Sequence, residues 1–247
     1  DMKVAQQNGY IQKIPCFASV GHFIQDGELT PIIKDLIRIS SLPLKAIESD
    51  VAIDSTGFTT TRFARWFDHK YGKEIDKRVW IKAHVMSGTK TNIITAVEVT
   101  PTPEHDSKFL PQLLVETAEN FQVNEVSADK GYSSRENLEA ISNAGAMPYI
   151  PFRKNTTSKA LGSSTWHKMW YYFMFKHDEF LQHYHKRSNA ETVFHMVKSK
   201  FGDHVRSKTE TAQVNEVLLK LLCHNICVVI QEMNELGIKP DFFAGRK

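Results

Sequence analysis

The sequence predicts an α/β fold: a mixed five-stranded sheet, three antiparallel strands and then parallel additions, flanked by helices. Three observations predict it. In "KRVWIKAHVM", Val79, Ile81, Ala83 and Val85 alternate with Arg78, Trp80, Lys82 and His84, and after "SGTK" the chain runs back as "TNIITAVEVT", a hairpin pattern. Two later short runs, "VNEVSAD" and "AMPYIP", are each reached through a helical stretch, which adds strands in parallel. Further stretches with helical spacing supply cover for the sheet faces.

Residues 28–40 have helical spacing, with Ile32, Ile33, Leu36, Ile37 and Ile39 as the apolar side and Pro43 as the stop. "SDVAIDST" (49–56) reads as a short strand closed by Asp54. After the hairpin, 107–120 reads as a helix with Ser107 as N-cap and Pro111 near its start. The strand 123–129 closes on Asp129. A helix then opens on a capping box, Ser133 to Glu136, and ends at Gly145. "AMPYIP" is the fifth strand. An aromatic stretch (152–180) leads into "HYHKRSNAETVFHMVKSK" (183–200), read as one helix, and a last helix runs from about Thr209 to Leu236, stopped by Gly237 and Pro240.

Composition bounds the rest. The 247 residues are 41% hydrophobic and 24% charged, ordinary globular values. Lys and Arg number 31 against 28 Asp and Glu, a net charge of +3, so any argument for a polyanionic partner must come from where the charge sits. Cys16, Cys223 and Cys227 form neither a disulfide framework nor a C-x-x-C pair, which fits a reducing cytoplasm. The reading finds no signal peptide and no apolar run long enough to span a bilayer, so no membrane partner is expected. The chain opens without methionine, and 1–48 reads as a helical segment left from a longer N-terminal region. The main domain spans 49–236 with an insertion at about 152–182, followed by a tail, 237–247.

Two acids, Asp54 and Asp129, sit at strand ends, where ligands gather in sheets of this kind. For either alone, a turn former or N-cap is the simpler reading. The third acid is Glu191. At helical spacing, Tyr184, Arg187, Glu191 and Lys198 fall within roughly 60° of one another, beside an apolar stripe of Ala190, Phe194, Val197 and Phe201. A solvated face with an Arg187–Glu191 pair explains two of the four but not Tyr184 and Lys198 in the same row. Three converging carboxylates suit Mg²⁺ or Mn²⁺, about two ions with substrate phosphate oxygens completing the shell.

These residues carry a resemblance. The chain resembles the DDE transposases of bacterial insertion sequences that bear a Y-R-E-K signature, present here as Tyr184, Arg187, Glu191 and Lys198. "AIDST", "SADKGY", "TPEHDSKF" and the hairpin extend the likeness over most of 45–230. The resemblance implies an RNase H-like catalytic domain over 49–236. It implies Asp54, Asp129 and Glu191 as catalytic, metal-binding acids, and Tyr184, Arg187 and Lys198 as DNA contacts near the cleaved end. It implies Trp166 against a flipped base. Double-stranded DNA, as transposon ends and target, is the implied partner, with a homodimer in the DNA complex left open. A complete upstream domain for binding transposon ends is not visible in 1–48. The alternatives are a stand-alone nuclease of the same fold and a truncated or domesticated DNA-binding remnant.

Other groupings bear on DNA or on packing. Segment 152–187 has seven Lys and Arg against two acids, interleaved with Trp166, Trp170, Tyr171, Tyr172, Phe173 and Phe175. That mixture suits single-stranded or distorted DNA, or core and β-insertion packing, the expected role of Tyr171–Phe175. Asp106 and Ser107 are expected to cap the helix they precede, and His84 to be a packed, hydrogen-bonded histidine. Cys223 and Cys227 are expected to be buried thiols.

Overall fold

A computed structural model describes residues 2–60, 80–101, 104–159 and 162–242. Arg78 and Val79 of the hairpin, and Thr102 and Pro103 of "TPEHDSKF", lie outside the described residues. The sheet comprises β1 (Asp50–Thr59), β2 (Trp80–Gly88), β3 (Ile94–Thr100), β4 (Glu125–Ala128) and β5 (Met147–Tyr149). Its order is β3-β2-β1-β4-β5. The pairs β1–β2 and β2–β3 are antiparallel, while β1–β4 and β4–β5 are parallel. This is the expected mixed sheet, an RNase H-like arrangement.

Alternation along β1 divides the core in two. Val51 and Ile53, with Met86, Val126 and Ala128, face a cluster built on α4 (Leu110–Ala118) and α5 (Arg135–Asn143). Phe58, with Ile81, Ala83, Val85 and Val97, faces the other way. There it meets α3 (Leu29–Ser41), α8 (Ser188–Phe201) and α9 (Glu210–Glu235). The preceding helices are α1 (Met2–Gln7) and α2 (Phe17–Ile24). Because Leu29, Ile33 and Ile37 of α3 belong to this second cluster, a boundary at 48 runs between elements of one core.

Several expectations change. β1 continues five residues past Asp54, because β2 goes on pairing with it to Thr59–Trp80. Asp54 is therefore mid-strand, at the point where the parallel neighbour β4 stops. Beyond Ala128 that side of β1 meets chain again at Thr59, which donates its N–H to Asp203 O and accepts one from Val205. The stretch 183–200 is not one helix. The helix α7 (His177–Tyr184) passes through a 3-10 turn, His185–Arg187, into α8. Backbone angles stay right-handed throughout, so only the winding tightens. Three residues at about 120° rather than about 100° rotate the face of α8 by roughly 60° relative to a continuous helix.

Smaller corrections come from packing. On α3, Ile32 and Leu36 are exposed, and the buried stripe is Leu29, Ile33 and Ile37. The helix after residue 105 starts as a 3-10 turn, Asp106–Phe109, capped by the His105 side chain. Asp106 turns away to pair with Lys82, and Ser107 accepts from Asn137. The cap of α5 is Ser134, accepting from Asn137 N, rather than Ser133. Gly145 does follow the helix with φ of 80°. The aromatic segment is helical, forming α6 (Ser164–Phe175) and α7. Tyr172 and Phe173 pack on the first cluster as expected, whereas Tyr171 and Phe175 are exposed. Cys223 is exposed and Cys227 half-buried, so the buried members of "CHNIC" are Asn225 and His224, the latter with its Nε2 2.9 Å from Asn92 O in the β2–β3 turn.

Among the described residues, α9 is long and apolar enough by length and composition to cross a membrane, contrary to the expectation of no such run. Its inward side chains, among them Val217, Leu218, Leu221 and Val228, pack in the core. Two buried asparagines fix it there. Asn225 accepts from Ile94 N and donates to Ile94 O, Ile37 O and Ser40 Oγ, tying α9 to β3 and α3. Asn215 accepts from Thr30 and donates to Ile24 O and Asp26 O.

Two of these buried polar groups set measurable terms in stability. Asn225→Leu leaves the buried Ile94 N–H without its acceptor and should cost about 2–4 kcal/mol; an unchanged urea midpoint would refute this. His84 is fully buried, stacked on Phe109 at 3.9 Å, with Nε2 3.3 Å from Thr100 Oγ1 and Nδ1 3.4 Å from Asp106 Oδ1. Burial pushes its pKa down to about 4, against the opposing charge of Asp106. The unfolded chain therefore takes up this proton near pH 6.5 and the folded chain only near 4. Stability should fall as pH drops through that window, by at most about 3 kcal/mol from this group. His84→Gln should lose less stability over the same window, measured by denaturant titrations at pH 7 and pH 4.5, and equal losses in the two proteins would count against the assignment.

Candidate active site

Parallel register brings the first two acids together. The last rung of the β1–β4 pair is Ile53–Ala128. The next residues are Asp54 and Asp129, and parallel partners share a face. Asp54 accepts the Ser55 N–H on Oδ1 at 2.8 Å. Asp129 accepts the Gly131 N–H on Oδ1 at 2.7 Å and so caps the 3-10 turn Lys130–Tyr132. A side chain at 131 would collide with that carboxylate, since a Cβ there would lie 2.8 Å from Asp129 Oδ1. Burial raises the Asp54 pKa and the neighbouring Asp129 charge adds to the rise, while the Ser55 N–H and Arg187 oppose it. After the Ser55 N–H, the main group favouring the charged form is a neighbouring cation.

That cation is Arg187. It leaves the 3-10 turn ahead of α8 and donates from Nη2 to Asp54 Oδ2 at 2.9 Å and from Nη1 to Glu191 Oε1 at 2.9 Å. Arg187 and Asp54 are largely buried, at 19% and 17% side-chain exposure, whereas Glu191 is 62% exposed. Glu191 thus joins the strand acids through Arg187, from the first turn of α8. At the other end of α8, Lys198 donates from Nζ to Thr56 Oγ1 at 2.6 Å and stands 5.5 Å above the Phe58 ring. Thr56 lies two residues beyond Asp54 on the same face. Burial lowers the Lys198 pKa.

The remaining expected contacts sit further into the core. Tyr184 is half-buried against the first cluster, beside the His185 ring. Trp166 packs edge-on to Phe152 at 4.9 Å and donates its indole N–H to Thr157 O. The structure therefore sets Asp129 near Asp54, links Asp54 to Glu191 through Arg187, holds Lys198 at Thr56 two residues further along β1, and seats Trp166 on α6 against the 152–157 segment.

Two residues of this neighbourhood were not singled out from the sequence. Tyr132 is buried with its hydroxyl toward Ser55, and burial, then the charges of Asp106, Asp54 and Asp129, raise its pKa far above the usual phenol range. It stays protonated among three acids. Its only signal was its place in "DKGY" after Asp129. The other is Lys186, one residue before Arg187, whose ammonium reaches Asp50 and Glu125 on the same two strands.

The donor set is all oxygen and strongly negative, and a guanidinium already lies between Asp54 and Glu191. Those features fit a hard divalent cation such as Mg²⁺ or Mn²⁺. Among the described residues no three His, Cys, Asp or Glu side chains stand gathered at metal-ligand spacing, because Glu191 reaches the strand acids only through Arg187.

A family model described as the transposase DDE domain matches residues 45–226. The span opens just before β1, closes within α9, and contains every residue of the site. Membership carries with it metal-dependent DNA cutting and DNA as substrate. With most of its length and its whole sheet inside that match, the chain belongs to the DDE transposase family.

Proposed function

We propose that the protein cleaves and joins DNA at transposon ends, with Asp54, Asp129 and Glu191 as the acids that hold Mg²⁺ or Mn²⁺. The observation that supports this most directly is the pairing of Asp54 and Asp129 past the last parallel rung, with Arg187 reaching from Asp54 to Glu191. Divalent ions held there would activate a water or a DNA 3′-hydroxyl and stabilise the leaving oxygen. Among the described residues Arg187 is the cation paired with these acids, and we assign it to the scissile phosphate, where its planar fork suits a bidentate contact. Lys198, held over Phe58 by Thr56, is assigned to a neighbouring phosphate, Tyr184 to the DNA backbone beside it, and Trp166 to a displaced base. The basic 152–187 segment extends this surface, apart from Lys186, which Asp50 and Glu125 engage. A cytoplasmic protein working on chromosomal DNA is the setting this reading calls for.

Asp54→Asn, Asp129→Asn and Glu191→Gln should each abolish strand cleavage in Mg²⁺ while DNA binding stays equal or improves, since a negative charge near phosphate is lost. A cleavage assay and a binding titration on DNA carrying a cognate end check this, and any of the three cutting at the parental rate removes that residue from the set. Cleavage without strand transfer in the parent would instead favour a nuclease. Arg187→Ala should fail differently, with slower cleavage and part of the loss seen as weaker binding. Were Arg187 and Glu191 only a surface ion pair, worth at most about 0.5 kcal/mol, both variants would cut like the parent.

A further inference from the structure

A second pair of acids stands four residues upstream on the same two strands. Asp50 and Glu125 are partners in the β1–β4 register. Four is an even step, so they share the face of Asp54 and Asp129, about 13 Å away along the strands. Like charges directly opposite one another destabilise a strand pair. Here Lys186 Nζ lies 2.7 Å from Asp50 Oδ2 and 2.8 Å from Glu125 Oε2. The three side chains are 34%, 15% and 17% exposed, so the contact is shielded rather than a surface pair. His183 Nδ1 adds a contact to Glu125 Oε1 at 2.8 Å, its ring stacks on Tyr149 at 4.4 Å, and its carbonyl accepts from Ser127 Oγ. The segment 183–187 is thus fastened across β1 and β4 from above. Lys186 is the middle residue of the 3-10 turn, and the next residue is Arg187.

We propose that Lys186 is a positioning residue for the active site. Its grip on Asp50 and Glu125 sets where the 3-10 turn rests on the sheet. That placement aims Arg187 at Asp54 and sets the start of α8, from which Glu191 projects. An apolar trio would cover the strands at least as stably. A charged one favours a single seating, since an ammonium moved by one residue along the turn would leave Asp50 without its cation and Glu125 with His183 alone. The inference rests on the reading of Asp54, Asp129 and Glu191 as the metal-holding acids.

The test compares the full chain with Lys186→Met, with Lys186→Arg, and with a triple variant, Asp50→Asn, Glu125→Gln and Lys186→Met, which also removes the repulsion. Thermal melting, Mn²⁺ affinity without DNA by titration calorimetry, DNA affinity, and single-turnover cleavage at saturating DNA and Mg²⁺ are measured on each. Lys186→Met should cut roughly 10–100-fold more slowly and bind Mn²⁺ more weakly, with DNA affinity little changed. Lys186→Arg should recover most of the rate. The triple variant should melt like the parent and still cut slowly, which a role in stability alone would not produce. The proposal is overturned if folded Lys186→Met cuts and binds Mn²⁺ like the parent, or if the triple variant recovers cleavage together with melting. Asp54→Asn run alongside separates the two ideas: if it too keeps parental Mn²⁺ binding and cleavage, the metal reading itself falls and takes the positioning role with it.

Discussion

Parallel pairing of β1 with β4 places Asp50 opposite Glu125 and, past the last rung, Asp54 beside Asp129, so one face of the sheet carries two couples of like charge. Much else on that face answers this repulsion. The 3-10 turn between α7 and α8 lays consecutive cations over it, Lys186 on the upstream couple and Arg187 at the downstream one. An α-helical turn would point neighbouring residues about 100° apart. A 3-10 turn sets them about 120° apart, wider still, so it is the length of the two side chains that lets both reach the same surface.

The two couples differ in what they leave free. At Asp50 and Glu125 the ammonium and His183 take up the inward carboxylate oxygens, which makes a closed knot. At Asp54 and Asp129 each acid takes one backbone N–H, and Arg187 reaches only Asp54 and Glu191. The remaining oxygen capacity and the open strand edge coincide there. Below the acids, Tyr132, His84 and Asp106 form a buried polar layer in which the phenol is held protonated and the imidazole neutral. That layer adds no positive charge to offset the acids; among the described residues Arg187 supplies it at Asp54. Asn215 ties α9 to the 24–30 segment, and Asn225 ties it to β3 and α3.

The order of elements along the chain and the pairing directions were readable from alternation and from the helix–strand repeats, because period and connection length act locally. Strand length was not: Asp54, Ser55 and Thr56 are turn formers, and only continued pairing with β2 carries β1 through them to Thr59. The 3-10 turn was hidden because its residues keep helical angles, and a stripe drawn at a constant 100° cannot register a local overwinding. Arg187 and Glu191 fell in the row as read, but the partner that gives Arg187 its burial, Asp54, is 133 residues away. Lys186 and Tyr132 likewise acquire meaning only from strands distant in sequence. Ile32 and Leu36 were read as inward from helical spacing and Cys223 from residue type, and the packing of α3 and α9 turns them outward.

The early end of β4 has a further effect. Among the described residues, β1 has no strand on that side from Ser55 to Phe58, which is the kind of edge on which a foreign chain can add and begin to aggregate. The gap spans four residues, about 13 Å, too short for a firm strand addition. The contact of Thr59 with 203–205 shuts one end, and Arg187 at Asp54 stands across the other. Lys198 holds a positive charge over the middle. Among the described residues, this side of β1 thereby offers self-assembling neighbours a short, positively guarded notch.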